Sequence, residues 1–192
     1  MDTSSSPKLA PPGAGLPWLE LFILRGLFKT RLALGSPASF NRQFAVERER
    51  IRILISGLSE SEGARQVLIR RPVGLEDSSR HWSVWMTLEH LRIMHKAIAG
   101  LVRSLTAGVV PPGEASTAAM KPQEGITSAI VLKYEASCDT VLKTLNASGA
   151  ETAPFPFAHP WFGPLTIRGW HAMAALHLGI HRRQIERVLS TR

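Results

Sequence analysis

Two histidines, His177 and His181, stand four residues apart near the C-terminal end of the chain. Within a helix this spacing places both side chains on one face, with their Cβ atoms about 5–6 Å apart. The other residues on this face are mostly apolar: Trp170, Met173, Ala174, Ile180, Gln184 and Val188. An apolar face is the one that a helix buries, so both imidazoles are expected to point into the core. Such a pair can offer two nitrogens to a single metal ion.

A third histidine, His90, lies in the middle of another stripe with helical spacing. The stripe contains Ser83, Met86, Met94, Ala97 and Leu101. Burying an imidazole without a polar partner costs free energy, because the ring loses its hydrogen bonds to water. Three buried imidazoles from two helices can bind one divalent metal ion and leave coordination positions open for water or a substrate. The alternative is that each is an ordinary hydrogen-bonded core residue, the commoner role of a single histidine on an apolar face.

Two further polar residues are candidates for a role in catalysis. Gln184 lies one turn after His181 and can hydrogen-bond a ligand or a substrate, or can serve as a polar residue at the edge of the core. His159 lies in a proline-bounded loop before the last predicted helix. From there it can act as a fourth ligand or in proton transfer, or it can simply pack the loop.

The remaining histidines and the single cysteine are expected to lie outside the site. His95 follows His90 by five positions, about 140° around a helix, and His171 is out of phase with His177. His81 precedes a helix and is expected to be exposed. Cys138 lies on an apolar stripe and is predicted to be a packed, inert thiol.

Helical periodicity predicts five segments that position these side chains. They are residues 17–34, 39–57 with Ser39 as the N-cap, 82–106, 123–145, and 166–189 with Thr166 as the N-cap. Strand-like alternation and internal repeats are missing from the sequence. A linker at 59–81, with an extra turn near 64–69, and a Pro/Phe-rich loop at 147–165 join the longer segments. Four long amphipathic helices with unequal loops predict an all-α helical bundle.

The N-terminal part of the chain differs from the rest. Residues 1–15 are rich in Ser, Pro, Gly and Ala and are predicted to form a disordered tail. Residues 16–38 form an additional amphipathic helix, and residues 39–192 form the bundle domain. The additional helix has two apolar stripes, so it requires two neighbours: it docks over the bundle or joins a dimer.

Two short motifs carry a resemblance to a known family. Trp82-Ser83 is followed by His90-Leu91, and residues 177–185 follow the pattern His-x-x-x-His-x-x-Gln-Ile. Residues 159–166, HPWFGPLT, precede the second motif. The motifs resemble the second and fourth helices of the DinB/YfiT-like superfamily, and the preceding segment is similar to a lead-in found in one branch of it. The resemblance covers about residues 39–189.

This resemblance implies a four-helix bundle with up-down-down-up connectivity, often homodimeric, that holds a divalent metal ion. By position, the ligands it implies are His90, His177 and His181. Family members with known activity are thiol transferases, a thiol-dependent isomerase and proposed hydrolases, so the implied function is hydrolysis or thiol transfer on a small molecule. Zinc, nickel, iron and manganese all accept imidazole, with zinc or nickel favoured. The sequence departs from the family in one respect: no acidic residue lies at a fixed spacing from the three histidines where it could act as a general base. Glu89 is adjacent to His90 but points about a quarter turn away from it.

Composition sets limits on the alternatives. The 192 residues are 44% hydrophobic, which is enough for a sizeable core, and a single cysteine excludes a disulfide framework or a cysteine-based zinc cluster. A net charge of +8 is compatible with a non-enzymatic basic module that binds nucleic acid or an anionic membrane surface. The arginines and lysines cluster at Arg25, Lys29, Arg31, Arg42, Arg48, Arg50, Arg52, Arg182, Arg183, Arg187 and Arg192. A solvated basic face is the favoured interpretation, because aromatic residues are not interleaved with these charges.

The sequence predicts a cytoplasmic protein. Its most apolar stretch, residues 16–34, contains Glu20, Arg25, Lys29 and Arg31, which a membrane span would not tolerate cheaply. The N-terminus lacks the pattern of a signal peptide. A single unpaired thiol fits a reducing compartment.

Overall fold

The computed structural model describes residues 7–148 and 155–191 of the chain. Within these ranges it forms the α-helices α1 (Trp18–Leu34), α2 (Pro37–Ile55), α3 (Glu60–Ala64), α4 (Val84–Thr106), α5 (Ile130–Ala147) and α6 (Ile167–Ser190). A two-stranded antiparallel hairpin, β1 (Phe157–His159) and β2 (Gly163–Leu165), precedes α6. Single 3-10 turns lie at Asp77–Ser79 and Ala118–Met120.

Four long helices form the bundle that the periodicity predicted. Helix α6 packs against both α2 and α4, and α4 packs against α5. Their apolar faces share one core, whose largest fully buried side chains include Phe40, Phe44, Trp85, Tyr134 and Trp170. The all-α four-helix bundle with an extra N-terminal helix is thus confirmed. The contact between α4 and α6 places the two histidine-bearing stripes opposite each other.

The caps explain where two of the helices begin. Helix α2 begins at Pro37, because the Ser36 side chain accepts from the Ser39 amide while the Ser39 hydroxyl accepts from the Ser36 amide. The predicted N-cap at Ser39 is therefore wrong, since the capping residue is Ser36. Helix α4 begins after Ser83, whose hydroxyl accepts from the amide of Met86 at 3.1 Å.

Helix α5 begins later than its apolar spacing predicted. The predicted start near residue 123 is wrong: the helix begins at Ile130. Gly125 has a φ of +74°, which lies outside the helical region, and the Ser128 amide donates to the Glu60 carboxylate. These contacts hold the preceding segment in a non-helical path against α3.

The two irregular connections contain local structure. In the 59–81 linker the short helix is α3, slightly before the turn predicted near 64–69. The β1–β2 hairpin was not predicted, because three-residue strands are too short to show alternation. Residues 149–154 of the predicted 147–165 loop lie outside the described residues.

The N-terminal segment lies along the bundle. Residues 1–6 of the predicted disordered tail are outside the described residues, and residues 7–15 contain no helix or strand. The backbone amides of Ala10 and Gly13 donate to the carboxylates of Asp77 and Glu76, at 2.8 and 3.4 Å. This part of the segment therefore contacts the turn that precedes α4.

Helix α1 docks through only one of its two apolar stripes. Phe28 is buried and its ring centroid lies 4.5 Å from that of Phe162, while Glu20 forms an ion pair with Arg71. The other stripe remains between 51% and 83% exposed: Trp18, Leu19, Phe22, Ile23, Leu27 and Leu34. Docking over the bundle thus accounts for one stripe and leaves the other on the surface.

None of the helices in the described part of the chain combines the length and the apolar character needed to cross a bilayer. Helix α1 illustrates why, since Glu20, Arg25, Lys29 and Arg31 lie within its 17 residues.

Candidate metal centre

Three imidazole rings converge where α4 faces α6. His90 Nε2 lies 3.1 Å from His177 Nε2, which in turn lies 3.0 Å from His181 Nε2. The donor atoms of the three residues all lie within 4.8 Å of one another. His177 and His181 meet because they are one helical turn apart, and His90 joins them because its stripe on α4 packs against α6. The predicted convergence of the three histidines is confirmed.

Hydrogen bonds on the far side of two rings determine where their protons lie. His90 Nδ1 is 2.7 Å from the carbonyl oxygen of Met120, which can only accept, so Nδ1 carries the proton. His181 Nδ1 donates in the same way to Gln184 Oε1 at 2.7 Å. In both rings the Nε2 lone pair is therefore directed towards His177. This is the neutral tautomer that a metal ligand needs.

Burial keeps the three rings uncharged. Loss of solvation lowers the pKa of His90 to about 4. The same burial, reinforced by repulsion from the neighbouring imidazoles, holds the pKa values of His177 and His181 well below the ordinary value. At neutral pH a single proton on His177 can be directed at only one of the two facing lone pairs. The other lone pair then faces His177 at about 3 Å without a hydrogen-bond donor, a cost that a shared cation would relieve.

The spacing of the nitrogens fits a metal ion. Nitrogens bound at about 2.0–2.1 Å, with tetrahedral or octahedral angles between the bonds, are separated by about 2.8–3.4 Å. The two measured separations, 3.0 and 3.1 Å, fall in this range. Three close imidazoles with the correct tautomer can therefore hold a divalent ion. The alternative of three independently hydrogen-bonded core histidines does not account for lone pairs directed at one point.

Gln184 holds one of the three rings in place. It is fully buried; its Oε1 accepts from His181, and its Nε2 donates to the carbonyl oxygen of Ser79 at 2.7 Å. Both polar ends of the amide are therefore occupied by protein groups. The structure thus places Gln184 behind His181 as an orienting residue, and its bond to this ring is the hydrogen bond to a predicted ligand that the sequence allowed.

His159 lies at the edge of the cavity over the three histidines. Its Nδ1 accepts from the backbone amide of Trp161 at 3.1 Å, so its proton lies on Nε2, and burial lowers its pKa to about 4. Its ring packs against Phe162 and Trp170, with centroids 5.1 and 5.4 Å away. With one nitrogen accepting and the other protonated, the ring has no lone pair for a metal ion. This tautomer does not suit the fourth-ligand role and leaves His159 as a hydrogen-bond donor.

Three residues that the sequence placed outside the site, His95, His171 and Cys138, are buried in the core. His95 Nδ1 lies 3.0 Å from Ser137 Oγ, and His171 Nε2 lies 2.9 Å from Asn41 Oδ1. Neither belongs to the three-histidine cluster, in agreement with their helical phase. Burial raises the pKa of the Cys138 thiol to about 12, as expected for an inert packed cysteine. His81 is half-buried rather than exposed.

An acidic residue that the sequence did not indicate lines the same cavity. Glu76 is 7% exposed and comes from the linker before α4. Its Oε1 accepts from the Thr117 hydroxyl at 2.9 Å, and its Oε2 accepts from the Ser78 hydroxyl at 3.3 Å. Its negative charge opposes the lowering of the pKa of His90. Glu76 has no regular spacing from the histidines, so periodicity offered no signal for it.

Comparisons with known proteins identify the family and the fold. Residues 43–185 match the model of the DinB superfamily. A crystal structure of TT2238, described as a four-helix bundle protein, resembles this chain with a TM-score of 0.58 and 16% identity; the likeness covers 79% of this chain and 98% of that chain. At this identity it shows the shared fold alone. No curated protein matches the chain. The family match covers most of the chain and includes all three histidines, so the chain belongs to the DinB superfamily.

Proposed function

We propose that this protein is a metalloenzyme that binds one divalent ion through His90, His177 and His181 and catalyses hydrolysis or thiol transfer on a small molecule. The observation that carries the proposal is the convergence of three Nε2 atoms, two of them held as lone-pair donors by hydrogen bonds at Nδ1. Zinc or nickel is the favoured ion, because both bind neutral imidazole well.

The chemistry follows from the uncharged ligand set. A divalent ion bound by three neutral imidazoles keeps its full positive charge, so it lowers the pKa of bound water or of a bound thiol towards neutrality and polarises a substrate oxygen. The protein leaves a cavity of about 60 Å³ over the three rings. Because the cavity is small, it suits water or one small reacting group.

Glu76 is our candidate for the general base. Its carboxylate lines this cavity, and the Thr117 and Ser78 hydroxyls hold it in place. A carboxylate in this position can accept the proton of an attacking water or thiol. Glu76 therefore fills the role for which the sequence showed no candidate.

His159 and Gln184 have separate roles in this proposal. His159 borders the cavity and carries its proton on Nε2, so it can donate a hydrogen bond to a substrate oxygen on which negative charge develops. Gln184 keeps His181 in the ligand tautomer and orientation. In this proposal His159 contacts substrate, whereas Gln184 acts through His181.

The non-enzymatic basic module receives less support, because several of the basic side chains are neutralised locally. Arg48 forms ion pairs with Glu135 and Asp139, and Arg182 does so with Glu47 and Glu186. These contacts reduce the charge available to a polyanion or a membrane. Binding that weakens steeply with salt and ignores a chelator would favour the basic module instead.

Elemental analysis of the gently purified protein tests the proposal. We expect one divalent ion per chain in the wild-type protein, and its loss in His177→Ala and His181→Ala. His81→Ala, outside the cluster, is the matched control and should retain the ion. Stoichiometric metal in both ligand variants would overturn the proposal.

A further inference from the structure

A larger cleft opens beside the metal centre. It has a volume of about 490 Å³ and lies between α4, the segment at residues 111–120 and the β1–β2 hairpin. This volume is typical of pockets that bind small organic molecules. Met94, Thr117, Met120 and His159 line both the cleft and the small cavity over the three histidines. The cleft and the cavity over the three histidines therefore adjoin along these four residues.

The lining of the cleft is mainly apolar. Its apolar side chains include Met94, Ala97, Ile98, Leu101, Phe157 and Trp170. Its polar residues include Ser104, Ser116, Thr117 and His159, and its single charged side chain is that of Glu114. Neither lysine nor arginine is among the lining residues in the described part of the chain. A carboxylate or phosphate in this cleft would find no opposite charge and would be repelled by Glu114, whereas an alkyl or aryl group would bury apolar surface.

The four residues shared by the cleft and the cavity combine apolar side chains with polar ones. Met94 and Met120 supply flexible apolar surface on either side. The protonated Nε2 of His159 can donate to an uncharged oxygen, and the Thr117 oxygen, whose proton is donated to Glu76, can accept from a hydroxyl. The carbonyl oxygen of Met120 holds His90, so the segment that walls the cleft also orients a metal ligand. The cleft and the three-histidine centre thus share the segment that contains Met120.

We infer that this cleft binds the apolar body of an uncharged substrate, an alkyl or aryl chain, and delivers its single polar reacting group to the three-histidine centre. The inference rests on the proposed function, since the reacting group is assigned to that centre. It adds a substrate class to the activity: molecules with an uncharged apolar part, and not multiply charged metabolites.

Hydroxamic acids provide a suitable probe, because the hydroxamate group binds zinc while its chain is free to enter the cleft. Isothermal titration calorimetry on the zinc-loaded protein would compare acetohydroxamic and hexanohydroxamic acids with adipic monohydroxamic acid, which matches the hexano compound but ends in a carboxylate. We expect affinity to rise about three- to fourfold per methylene, and so on the order of a hundredfold from the acetyl to the hexanoyl compound. Adipic monohydroxamic acid should lose most of this gain in affinity, because its carboxylate would lie in the apolar cleft near Glu114.

A variant in the cleft separates this effect from metal binding. Ala97 is exposed and lines the cleft, so Ala97→Trp should narrow the cleft without disturbing the core. This variant should bind zinc and acetohydroxamic acid like the wild type, but its affinity for hydroxamic acids should no longer increase with the length of the alkyl chain. Ala147→Trp, at an exposed position at the end of α5 and outside the cleft lining, is the matched control and should keep it.

The outcomes distinguish the two proposals. If zinc and acetohydroxamic acid bind but chain length has no effect, the inference about the cleft is wrong and the proposed function stands. If the chain takes up no metal, the proposed function fails, and the cleft is tested on the metal-free protein with hexanol against hexanoate. Equal affinity for the two, or tighter binding of hexanoate, would then overturn the inference.

Discussion

The Gln184 side chain joins His181, in the three-histidine cluster, to Ser79 in the turn before α4. Its Oε1 accepts a hydrogen bond from His181 Nδ1 at 2.7 Å, and its amide nitrogen donates to the carbonyl oxygen of Ser79, also at 2.7 Å. The second bond fixes which end of the amide faces the histidine. The path of the 59–81 linker therefore determines the orientation of a residue on α6, and through it the tautomer of a ligand.

Replacing Gln184 should weaken metal binding without removing a ligand. In Gln184→Leu, His181 loses the acceptor that keeps its proton on Nδ1, so we expect metal affinity to fall about 10–100-fold. Competition with a chromogenic chelator measures the change. Gln123→Leu, at an exposed position, is the control. Unchanged affinity in Gln184→Leu would show that the hydrogen bond does not tune the centre.

Metal binding should stabilise the fold. An ion that binds only the folded chain adds about 2.7 kcal/mol to the free energy of unfolding at a concentration one hundred times its Kd. Thermal melts with added zinc or nickel, and with a chelator, should therefore differ clearly in the wild-type protein. In His90→Ala the difference should disappear. An equal shift in this variant would indicate that the ions bind elsewhere.

Acid should destabilise the protein partly through His95. Burial lowers the pKa of this histidine to about 3, far below its ordinary value of 6.5. Below pH 6.5 the imidazole is protonated in the unfolded chain but stays neutral in the folded chain. The contribution of His95 to the free energy of unfolding is therefore fully present above pH 6.5 and decreases as the pH falls. For this residue alone, the free energy of unfolding should drop by about 2 kcal/mol between pH 7 and pH 5.

Urea unfolding at several pH values tests this effect, with a chelator present so that metal binding does not contribute. His95→Gln, which does not titrate, should show a correspondingly flatter dependence of stability on pH than the wild type. Parallel curves for the two proteins would contradict the assignment.

Glu76 should affect turnover more than metal binding. If its carboxylate accepts the proton of the nucleophile, Glu76→Gln should lower kcat by about 10²–10⁴-fold for the hydrolysis or thiol transfer that the enzyme performs. The variant should keep one metal ion per chain and the wild-type affinity for that ion. Glu124→Gln, at an exposed position, provides the comparison. An unchanged kcat in Glu76→Gln would exclude Glu76 as the base.

The expected homodimer remains a prediction, and the exposed stripe of α1 is where it can be tested. Phe22 is 71% exposed, and near it Gly26 has no atom within 4 Å of the position of a Cβ, which permits close approach of a second helix. If the stripe pairs with a second copy, sedimentation should show a dimer that Phe22→Glu dissociates. Leu132→Glu, 80% exposed on α5, should leave it intact. A wild-type monomer would disprove the expectation.

The sequence by itself predicted the four long helices of the bundle and the convergence of the three histidines. The four-residue spacing of His177 and His181 placed both on one face, and the apolar neighbours of His90 identified its face as buried. These properties depend on the regular period of a helix, so they can be deduced from local spacing. The same reasoning excluded His95 and His171 from the site, although both proved to be buried.

Only the tertiary structure decided what surrounds the three histidines. Glu76, the carbonyl oxygens of Ser79 and Met120, and the apolar cleft all depend on irregular segments, whose paths follow from long-range contacts and not from a repeating pattern. The start of α5 was misplaced for the same reason, because Glu60, distant in sequence, binds the Ser128 amide. Helical periodicity encodes which side chains face inward, but the position of a loop depends on the partners that the folded bundle presents to it.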